Sequence, residues 1–365
     1  KTKEQGKIKV LYITPLRALN RDVFRRIIKY AEQDCLTIQI RHGDTSQTVR
    51  KKISDSPPDI LITTPETLVI LLTQKKMLTA LSELEWVIID EVHELLASER
   101  GSQLSLSLER LQLNSNQQII RNGLSATIGN TDDAAKFLVG TNRPCEIIQD
   151  QTIRNYQVEV KFVGGSISEV ADSIIQYVEK LNLDSPILLF TNTRGESEFL
   201  ASILREKTSM NIELHHGSLS KQVREETETI LRSGANGIVV CTSSLELGLD
   251  IGSVELVIHY GSPRQVSKLM QRIGRSRHSR NSSARGLVIS NSGDDEFEAT
   301  AILDRIKNSS IEEQKINEKS LDVLAHHLVG LSLQIGEVTV DFAYKIIKQA
   351  YPLDRKSTRL NSSHW

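Results

Sequence analysis

The sequence predicts an α/β protein with two parallel-sheet domains in tandem, followed by a helical element. Short apolar runs alternate with longer helical patterns, and the alternation restarts after a polar stretch at residues 149–155. No further strand-like run follows Asp294. Because runs that are apolar on both faces are typical of parallel strands covered by helices, these three observations favour doubly covered parallel sheets.

Each half of the chain contains four clear strand-like runs. Those of the first half are KVLYIT (9–14), DILITT (59–64), WVIID (86–90) and IIRNGLSAT (119–127). Those of the second half are PILLFTNT (186–193), NGIVVCTSS (236–244), VELVIHYG (254–261) and RGLVISN (285–291). Residues 319–333 and 338–350 then show the i, i+3, i+4 apolar spacing of amphipathic helices. We therefore expect domains at 1–149 and 150–294 and a helical segment at 295–353.

Composition narrows the class of protein. The formal net charge of -1 neither indicates nor excludes a nucleic-acid partner, because a local basic groove can exist in a neutral chain. Cys35, Cys145 and Cys241 lie far apart, which argues against a zinc site or a disulfide framework. No run approaches the roughly 18 apolar residues of a membrane span, and no signal peptide opens the chain. We expect a cytoplasmic protein without a membrane partner.

Polar motifs follow the strands or open the helices, where parallel sheets bind their ligands. In chain order they are TPLRALN (14–20), TTPETL (63–68), DEVH (90–93), SAT (125–127), FTNTR (190–194), HHGS (215–218), TSSLELGLD (242–250) and QRIGRSRH (271–278). Over residues 9–290 this series resembles the motifs of superfamily 2 helicases, from motif Ia to motif VI. The segments DEVHELLASERGSQLSLSLERL and LDVLAHHLVGL resemble the large helicase-related (Lhr) family of archaea and bacteria.

The resemblance implies two RecA-like domains and, at 295–353, the start of a winged-helix domain. It also implies an ATP-dependent helicase that uses ATP and Mg²⁺, moves 3′ to 5′ on single-stranded DNA, and unwinds duplexes or DNA–RNA hybrids. Two alternatives stay open. An RNA helicase would use the same motor, because recognition of the 2′-OH is not visible in these motifs. A non-catalytic nucleic-acid-binding module is the other.

The carboxylates Asp90 and Glu91 end an apolar run. An Asp in this position can hold Mg²⁺ through its water shell, and the next carboxylate can orient or deprotonate the water that attacks the γ-phosphate. The alternative is an acidic pair favoured by a helix dipole. His93, Ser125 and Thr127 resemble the elements that couple hydrolysis to movement, although a helix N-cap explains Ser-Ala-Thr equally well.

The second half carries the remaining catalytic candidates. By resemblance, Gly248 and Asp250 contact ATP, Gln271 and Arg275 act at the γ-phosphate, and His278 completes the motif. Arg275 is the first choice for an arginine finger, which neutralises charge in the transition state. The family spelling QRxGRSGHR is altered here, so Arg277 and Arg280 are both candidates for a second finger. The alternative for this arginine cluster is a solvated basic helix end.

Further motif residues match positions that grip a nucleic-acid strand in the family. They are Thr14, Pro15, Arg17, Thr64, Pro65, Thr191, Arg194, His216, Gly217, Ser218 and Thr242. For the Thr-Pro pairs the alternative is a turn or N-cap, and for His215 and His216 it is an ordinary histidine. Because aromatic residues are only 4% of the chain, base stacking cannot be widespread, and contacts should be mostly to phosphates.

No Walker A sequence GxxxxGK[ST] occurs in the 365 residues. We expect that loop before residue 1, a first sheet short of one central strand, and a chain that is inactive alone. At the other end, residues 354–365 abandon the apolar pattern. They resemble a translated sequencing adapter, and the alternative is a genuine disordered terminus.

Overall fold

A computed structural model describes residues 6–126, 128–149, 156–247, 251–252, 254–276, 283–308, 310–318 and 320–354. The described residues form two compact units. The first combines residues from 6–149 with those from 313–354, and the second contains residues from 156–312.

The first unit contains a five-stranded parallel sheet in the order β2-β3-β1-β4-β5. Its strands are β1 (Val10–Ile13), β2 (Ile38–Arg41), β3 (Ile60–Thr63), β4 (Trp86–Ile89) and β5 (Ile120–Gly123). Its helices are α1 (Arg17–Gln33), α2 (Gln47–Asp55), α3 (Pro65–Leu71), α4 (Lys75–Ala80), α5 (His93–Leu96), α6 (Glu99–Asn114) and α7 (Thr131–Val139). The described strands of this sheet pair in an unbroken order. The expectation that the sheet is short of one strand stays a prediction.

The second unit contains a six-stranded parallel sheet in the order β6-β11-β10-β7-β9-β8. Its strands are β6 (Tyr156–Phe162), β7 (Pro186–Phe190), β8 (Ile212–His215), β9 (Gly237–Cys241), β10 (Leu256–Tyr260) and β11 (Ala284–Ser290). Its helices are α8 (Ile167–Leu181), α9 (Arg194–Lys207), α10 (Lys221–Ser233), α11 (Val266–Ile273) and α12 (Gly293–Lys307). The central strands β7, β9 and β10 are buried at every residue, as expected for a sheet with helices on both faces.

The last two described helices, α13 (Leu321–Ile335) and α14 (Val340–Ile347), pack on the first unit. Arg110 of α6 is 1% exposed and donates hydrogen bonds to the carbonyl oxygen of Gly330 (2.8 Å) and to Oε1 of Gln334 (3.0 Å). Helix α12, in contrast, packs on β6 and β11 of the second unit. The boundary between the units therefore lies near residue 312, whereas the sequence suggested that the second domain ends at residue 294.

Gly101 allows the short helix α5 to lie directly against α6. A Cβ atom at this position would lie 2.0 Å from the carbonyl oxygen of Leu95. Since no side chain fits so close to backbone, the glycine is required for the tight turn that orients α5 after β4.

The predicted fold class is confirmed, with two parallel α/β units and a helical C-terminal part. Within the described part of the chain, none of the individual helices combines the length and the apolar composition of a membrane span. The bent pair α13 and α14, at 114° to each other, meets that test by length and composition alone.

Candidate nucleotide and nucleic-acid site

Asp90 follows β4 at the carboxyl edge of the first sheet. Its Oδ2 accepts a hydrogen bond from the Tyr12 hydroxyl (3.0 Å), and its Oδ1 accepts one from the Glu91 N–H (3.0 Å). Burial, with the nearby Asp90 charge, raises the pKa of Tyr12, so Tyr12 stays a donor. A carboxylate oxygen has two lone-pair sites, so one on each oxygen remains for another donor. These residues fit a Mg²⁺ ion held through its water shell.

Glu91 has a backbone φ of 50°, which is uncommon for a residue other than glycine. This conformation turns the chain from β4 toward α5 and costs on the order of 1–3 kcal/mol, a cost that occurs mainly at functional sites. The side chain of Glu91 is 18% exposed, and its Oε2 lies 3.6 Å from Nε2 of His93. The carboxylate is therefore partly accessible and held beside Asp90.

His93 connects the DEVH segment to the segment after β5. It is 3% exposed, its Nδ1 accepts a hydrogen bond from the Ala126 N–H (3.3 Å), and the Ser125 hydroxyl lies 3.0 Å from the same nitrogen. Burial lowers the pKa of His93 to about 4, so the ring is neutral at neutral pH and carries its proton on Nε2. The coupling candidates His93 and Ser125 are thus in contact, and Thr127 lies outside the described residues.

The stability of the protein is expected to depend on the protonation of His93. An unfolded histidine has a pKa of about 6.5, whereas the folded value is about 4. Between these values the unfolded chain binds more protons, so the free energy of unfolding falls as the pH is lowered through this window. The loss expected from His93 alone between pH 7 and pH 5 is on the order of 1 to 2 kcal/mol. Because burial also lowers the pKa of His259 and of His327, this share is measured as the difference between the unmodified protein and a variant without His93, by urea unfolding at both values.

The variant His93→Gln removes this titration and should lose less stability between the same two pH values. An identical loss in the unmodified protein and in His93→Gln would show that His93 is not held neutral.

The Thr-Pro positions of the first unit lie at the ends of β1 and β3. The buried Thr14 hydroxyl lies within hydrogen-bonding distance of the Leu16 carbonyl oxygen (2.8 Å) and of Asn20 Oδ1 (2.7 Å). The hydroxyl of Thr64 is likewise buried and contacts that of Thr67. These hydroxyls therefore shape the turns. The positions after them start helices, since Arg17 begins α1 and Pro65 begins α3.

Arg100 joins the two Thr-Pro turns and was missed by the sequence reasoning. Its guanidinium donates to the carbonyl oxygen of Pro15 (2.6 Å) and to Oε1 of Glu66 (2.5 Å). Arg17 is exposed and pairs with Asp44 at 2.5 Å. The only sequence signal for Arg100 is its place in the SERGSQ stretch after DEVH.

In the second unit, the candidate strand-gripping residues also follow strands. Thr191 is buried and donates to the carbonyl oxygen of Thr193 (2.9 Å), while Arg194 is exposed at the first residue of α9. His216 is buried and accepts from the Ser218 N–H (3.3 Å), and Gly217 and Ser218 are exposed beside it.

Thr242 and His215 lie beside these candidate strand-gripping residues. Thr242 follows β9, and its N–H donates to the carbonyl oxygen of His215 (3.3 Å). His215, in turn, holds the Ser244 hydroxyl at 2.8 Å. Of the candidate residues at this edge, the exposed ones are therefore Arg194, Gly217 and Ser218.

Helix α11 and the turn after it carry Gln271 and Arg275. Arg275 is partly buried and donates to the carbonyl oxygen of Glu246 (2.9 Å). Gln271 is partly buried, and its Oε1 has no hydrogen-bond partner among the described residues. Gly248, Asp250 and His278, with the alternative fingers Arg277 and Arg280, lie outside the described residues.

Arg272 forms a buried network that the sequence reasoning also missed. It is 4% exposed and donates to Oε2 of Glu246 (2.8 and 3.1 Å) and to Nε2 of His259, with its guanidinium 5.2 Å from the centre of the Phe190 ring. Burial, and then the Arg272 charge, lower the pKa of His259 well below its usual range. A neutral His259 can accept from Arg272, so the network ties the segment of Glu246 to α11.

Two family models match the chain. The description "DEAD/DEAH box helicase" matches residues 1–134, and "Helicase conserved C-terminal domain" matches residues 169–279. The ATP-dependent helicase Lhr-Core of Methanocaldococcus jannaschii is 38% identical over 96% of this chain and 43% of its own length. The Lhr helicase/uracil glycosylase of Escherichia coli is 33% identical over 94% of this chain and 26% of its own length.

Solved structures agree with these sequence matches. The helicase Lhr of Mycobacterium smegmatis, bound to ssDNA and AMP-PNP, has a TM-score of 0.84 and 33% identity over 95% of this chain and 48% of that chain. The DUF1998 helicase MrfA bound to DNA and AMPPNP has a TM-score of 0.75 at 23% identity over 90% of this chain and 48% of that chain, a likeness of fold alone. The chain spans less than half the length of these relatives. With two RecA-like sheets and the motif series at their carboxyl edges, the chain belongs to the Lhr family of superfamily 2 helicases.

Proposed function

We propose that the chain supplies the motor of an ATP-dependent helicase that moves 3′ to 5′ on single-stranded DNA and unwinds duplexes or DNA–RNA hybrids. The observation that carries the proposal is the arrangement of Asp90 and Glu91 at the end of β4, with the neutral His93 linking them to Ser125. The names of the relatives, and the ssDNA and AMP-PNP in the M. smegmatis structure, support the same motor.

In this proposal, Asp90 would hold Mg²⁺ through water, and the ion would neutralise charge on the phosphates of ATP. Glu91 accepts a hydrogen bond from the attacking water and removes its proton, so the water oxygen bonds to the γ-phosphorus while the bond from that phosphorus to the β–γ bridging oxygen breaks and ADP leaves. Tyr12 and the Glu91 amide fix the carboxylate of Asp90 in orientation. The match to the family motifs assigns the remaining contacts with the nucleotide to five residues of the second half of the chain: Gly248, Asp250, Gln271, Arg275 and His278.

The link between hydrolysis and movement is proposed to pass through His93. Its Nε2 lies 3.6 Å from Oε2 of Glu91, and its Nδ1 contacts both Ser125 and the Ala126 amide. A change in the charge or position of the Glu91 carboxylate would therefore act directly on the segment after β5. Thr127 belongs to the same proposed element.

Contacts to the nucleic-acid strand are proposed to be mostly to phosphates. The described groups suited to this are the exposed Arg17 and Arg194 and the backbone at Gly217 and Ser218. Buried Thr14 and Thr64 support the turns in which they lie. The remaining candidates lie at the carboxyl edges of the two sheets, and they are Pro15, Pro65, Thr191, His216 and Thr242. Contacts of this kind carry little sequence information, so binding should be weakly sequence-selective.

Streptavidin displacement tests the direction and the substrate. The measurement uses the chain extended upstream by a Walker A loop, because GxxxxGK[ST] does not occur in the 365 residues. A motor that moves 3′ to 5′ should displace streptavidin from a biotin at the 5′ end of single-stranded DNA and leave a 3′ biotin occupied. Single-stranded RNA of the same sequence is the comparison. Displacement from the 3′ end, or on RNA alone, would contradict the proposal.

A further inference from the structure

A cavity of about 360 Å³ opens in the first unit beside the carboxyl end of β2. Its lining contains four cationic side chains, Arg41, Arg50, Lys51 and Lys76, and a single carboxylate, that of Asp55. Asp55 is already paired with Lys76 at 2.6 Å. The lining therefore has an excess of positive charge that its own residues do not balance.

Arg41 is the buried member of this cluster. It is 4% exposed, and its guanidinium contacts Oγ of Ser54 (3.4 Å) and Oε1 of Gln74 (2.7 Å), both of them neutral groups. Burial, and then the charge of Arg50, lower the pKa of Arg41. A buried cation with neutral partners and a second cation nearby is unfavourable until an anion approaches.

Arg50 offers an unused donor in the same place. One of its terminal nitrogens donates to the carbonyl oxygen of Gly43 (2.5 Å), which fixes the guanidinium against the turn after β2. Its Nε is buried and has no hydrogen-bond partner among the described residues. An oxyanion that enters the cavity could accept from Nε, and charge-assisted bonds of this kind are the stronger ones. Lys51, on the same helix, adds an exposed cation.

The position of the cavity indicates which anion it would bind. In the sheet, Arg41 at the end of β2 pairs in register with Thr63 of β3, which in turn pairs with Ile13 of β1. The Thr63 hydroxyl also donates to the carbonyl oxygen of Arg41 (2.7 Å). Neighbouring strands lie about 4.8 Å apart, so the cavity continues the row of turns that begin at Thr14 and Thr64.

We propose that this cavity binds a phosphate of the nucleic-acid strand, through Arg50, Lys51 and the buried charge of Arg41. The inference rests on the proposed function and adds a contact at the outer strand of the first sheet, beyond the family motifs. Among the described lining residues there is no Phe, Tyr or Trp and there are four cationic side chains, so the lining favours a phosphate over a stacked base. The arginine fork and the lysine ammonium are suited to the charge of a phosphodiester.

The test uses fluorescence anisotropy of single-stranded DNA with the 365-residue chain over a range of salt concentrations. Loss of one phosphate contact should lower the slope of log K against log salt by about 0.7. The double variant Arg50→Gln with Lys51→Gln is expected to show that decrease, with an affinity several-fold lower. Lys51→Gln alone changes an exposed residue and should show part of the effect without altering the fold. Lys52→Gln is the matched control, because Lys52 is exposed on the same helix and outside the cavity.

A scan with single neutral methylphosphonates identifies the phosphate, along a single-stranded DNA of the shortest length that binds with full affinity, so that only one register is available. The unmodified chain should lose affinity at one position at which the double variant loses none. A cavity that takes free phosphate would show no such position, and inorganic phosphate at constant ionic strength would raise the melting temperature of the unmodified chain alone. That result, or a salt slope of the double variant equal to that of Lys52→Gln, would overturn the inference. No DNA binding by the unmodified chain would overturn the proposed function as well.

Discussion

Glu91→Gln is expected to lower the rate of ATP hydrolysis by a factor on the order of 10² to 10⁴, the contribution of a general base. The affinity for Mg²⁺-ATP should change by no more than about twofold, because removal of a transition-state interaction leaves ground-state binding intact. Gln keeps the size of Glu and can occupy the same turn, at φ 50°, but it cannot accept the proton. The measurement is steady-state turnover, with nucleotide affinity from titration calorimetry, on the chain extended by a Walker A loop.

Glu94 provides a matched control for Glu91. Its Oε1 lies 3.5 Å from Nε2 of His93, almost the same distance as Oε2 of Glu91, which lies at 3.6 Å. Glu94→Gln therefore removes an equivalent charge from His93 without removing the proposed base, and turnover should persist. Asp90→Asn should weaken Mg²⁺-ATP binding instead. Full turnover by Glu91→Gln, or equal losses in both glutamate variants, would contradict the assignment.

Seven of the eight described strands that the sequence revealed lie inside their sheets, and the eighth, β5, lies at an edge. β7, β9 and β10 are continuous apolar runs because helices cover both of their faces. The three strands that were missed, β2, β6 and β8, all lie at sheet edges. Their sequences IQIR, YQVEVKF and IELH alternate apolar and polar residues, since one face or edge is exposed. A search for alternation as well as for apolar runs would have found them.

The residues of the candidate site also differ in how clearly the sequence reveals them. Asp90 and Glu91 were visible because they are adjacent in sequence and belong to an ordered series of motifs, whereas the role of Arg272 depends on two residues that are distant in sequence, Glu246 and His259. A local signal did exist, since Arg272 falls on the apolar face of α11 together with Val266 and Leu269. The cavity of Arg41 and Arg50 had no comparable signal, because β2 itself was not recognised.

Arg275→Ala is expected to lower ATP turnover by a factor on the order of 10³ to 10⁵, the contribution of an arginine finger, with a much smaller loss of nucleotide affinity. A finger acts mainly on charge that develops in the transition state, so it contributes little to the ground state. Arg275 is partly buried and donates a hydrogen bond to the carbonyl oxygen of Glu246. This hydrogen bond restrains the side chain before it contacts ATP. The measurement is single-turnover hydrolysis on the extended chain.

The neighbouring arginines separate this role from a structural one. Arg285 is exposed on β11, and Arg285→Ala should retain turnover. Replacement of buried Arg272 would leave Glu246 without its ion-pair partner and should lower the melting temperature, which Arg275→Ala should not do. Arg277→Ala and Arg280→Ala, measured beside Arg275→Ala, identify the second finger as the variant with the next largest loss of turnover. Unchanged hydrolysis in all three would show that this arginine cluster does not act on ATP.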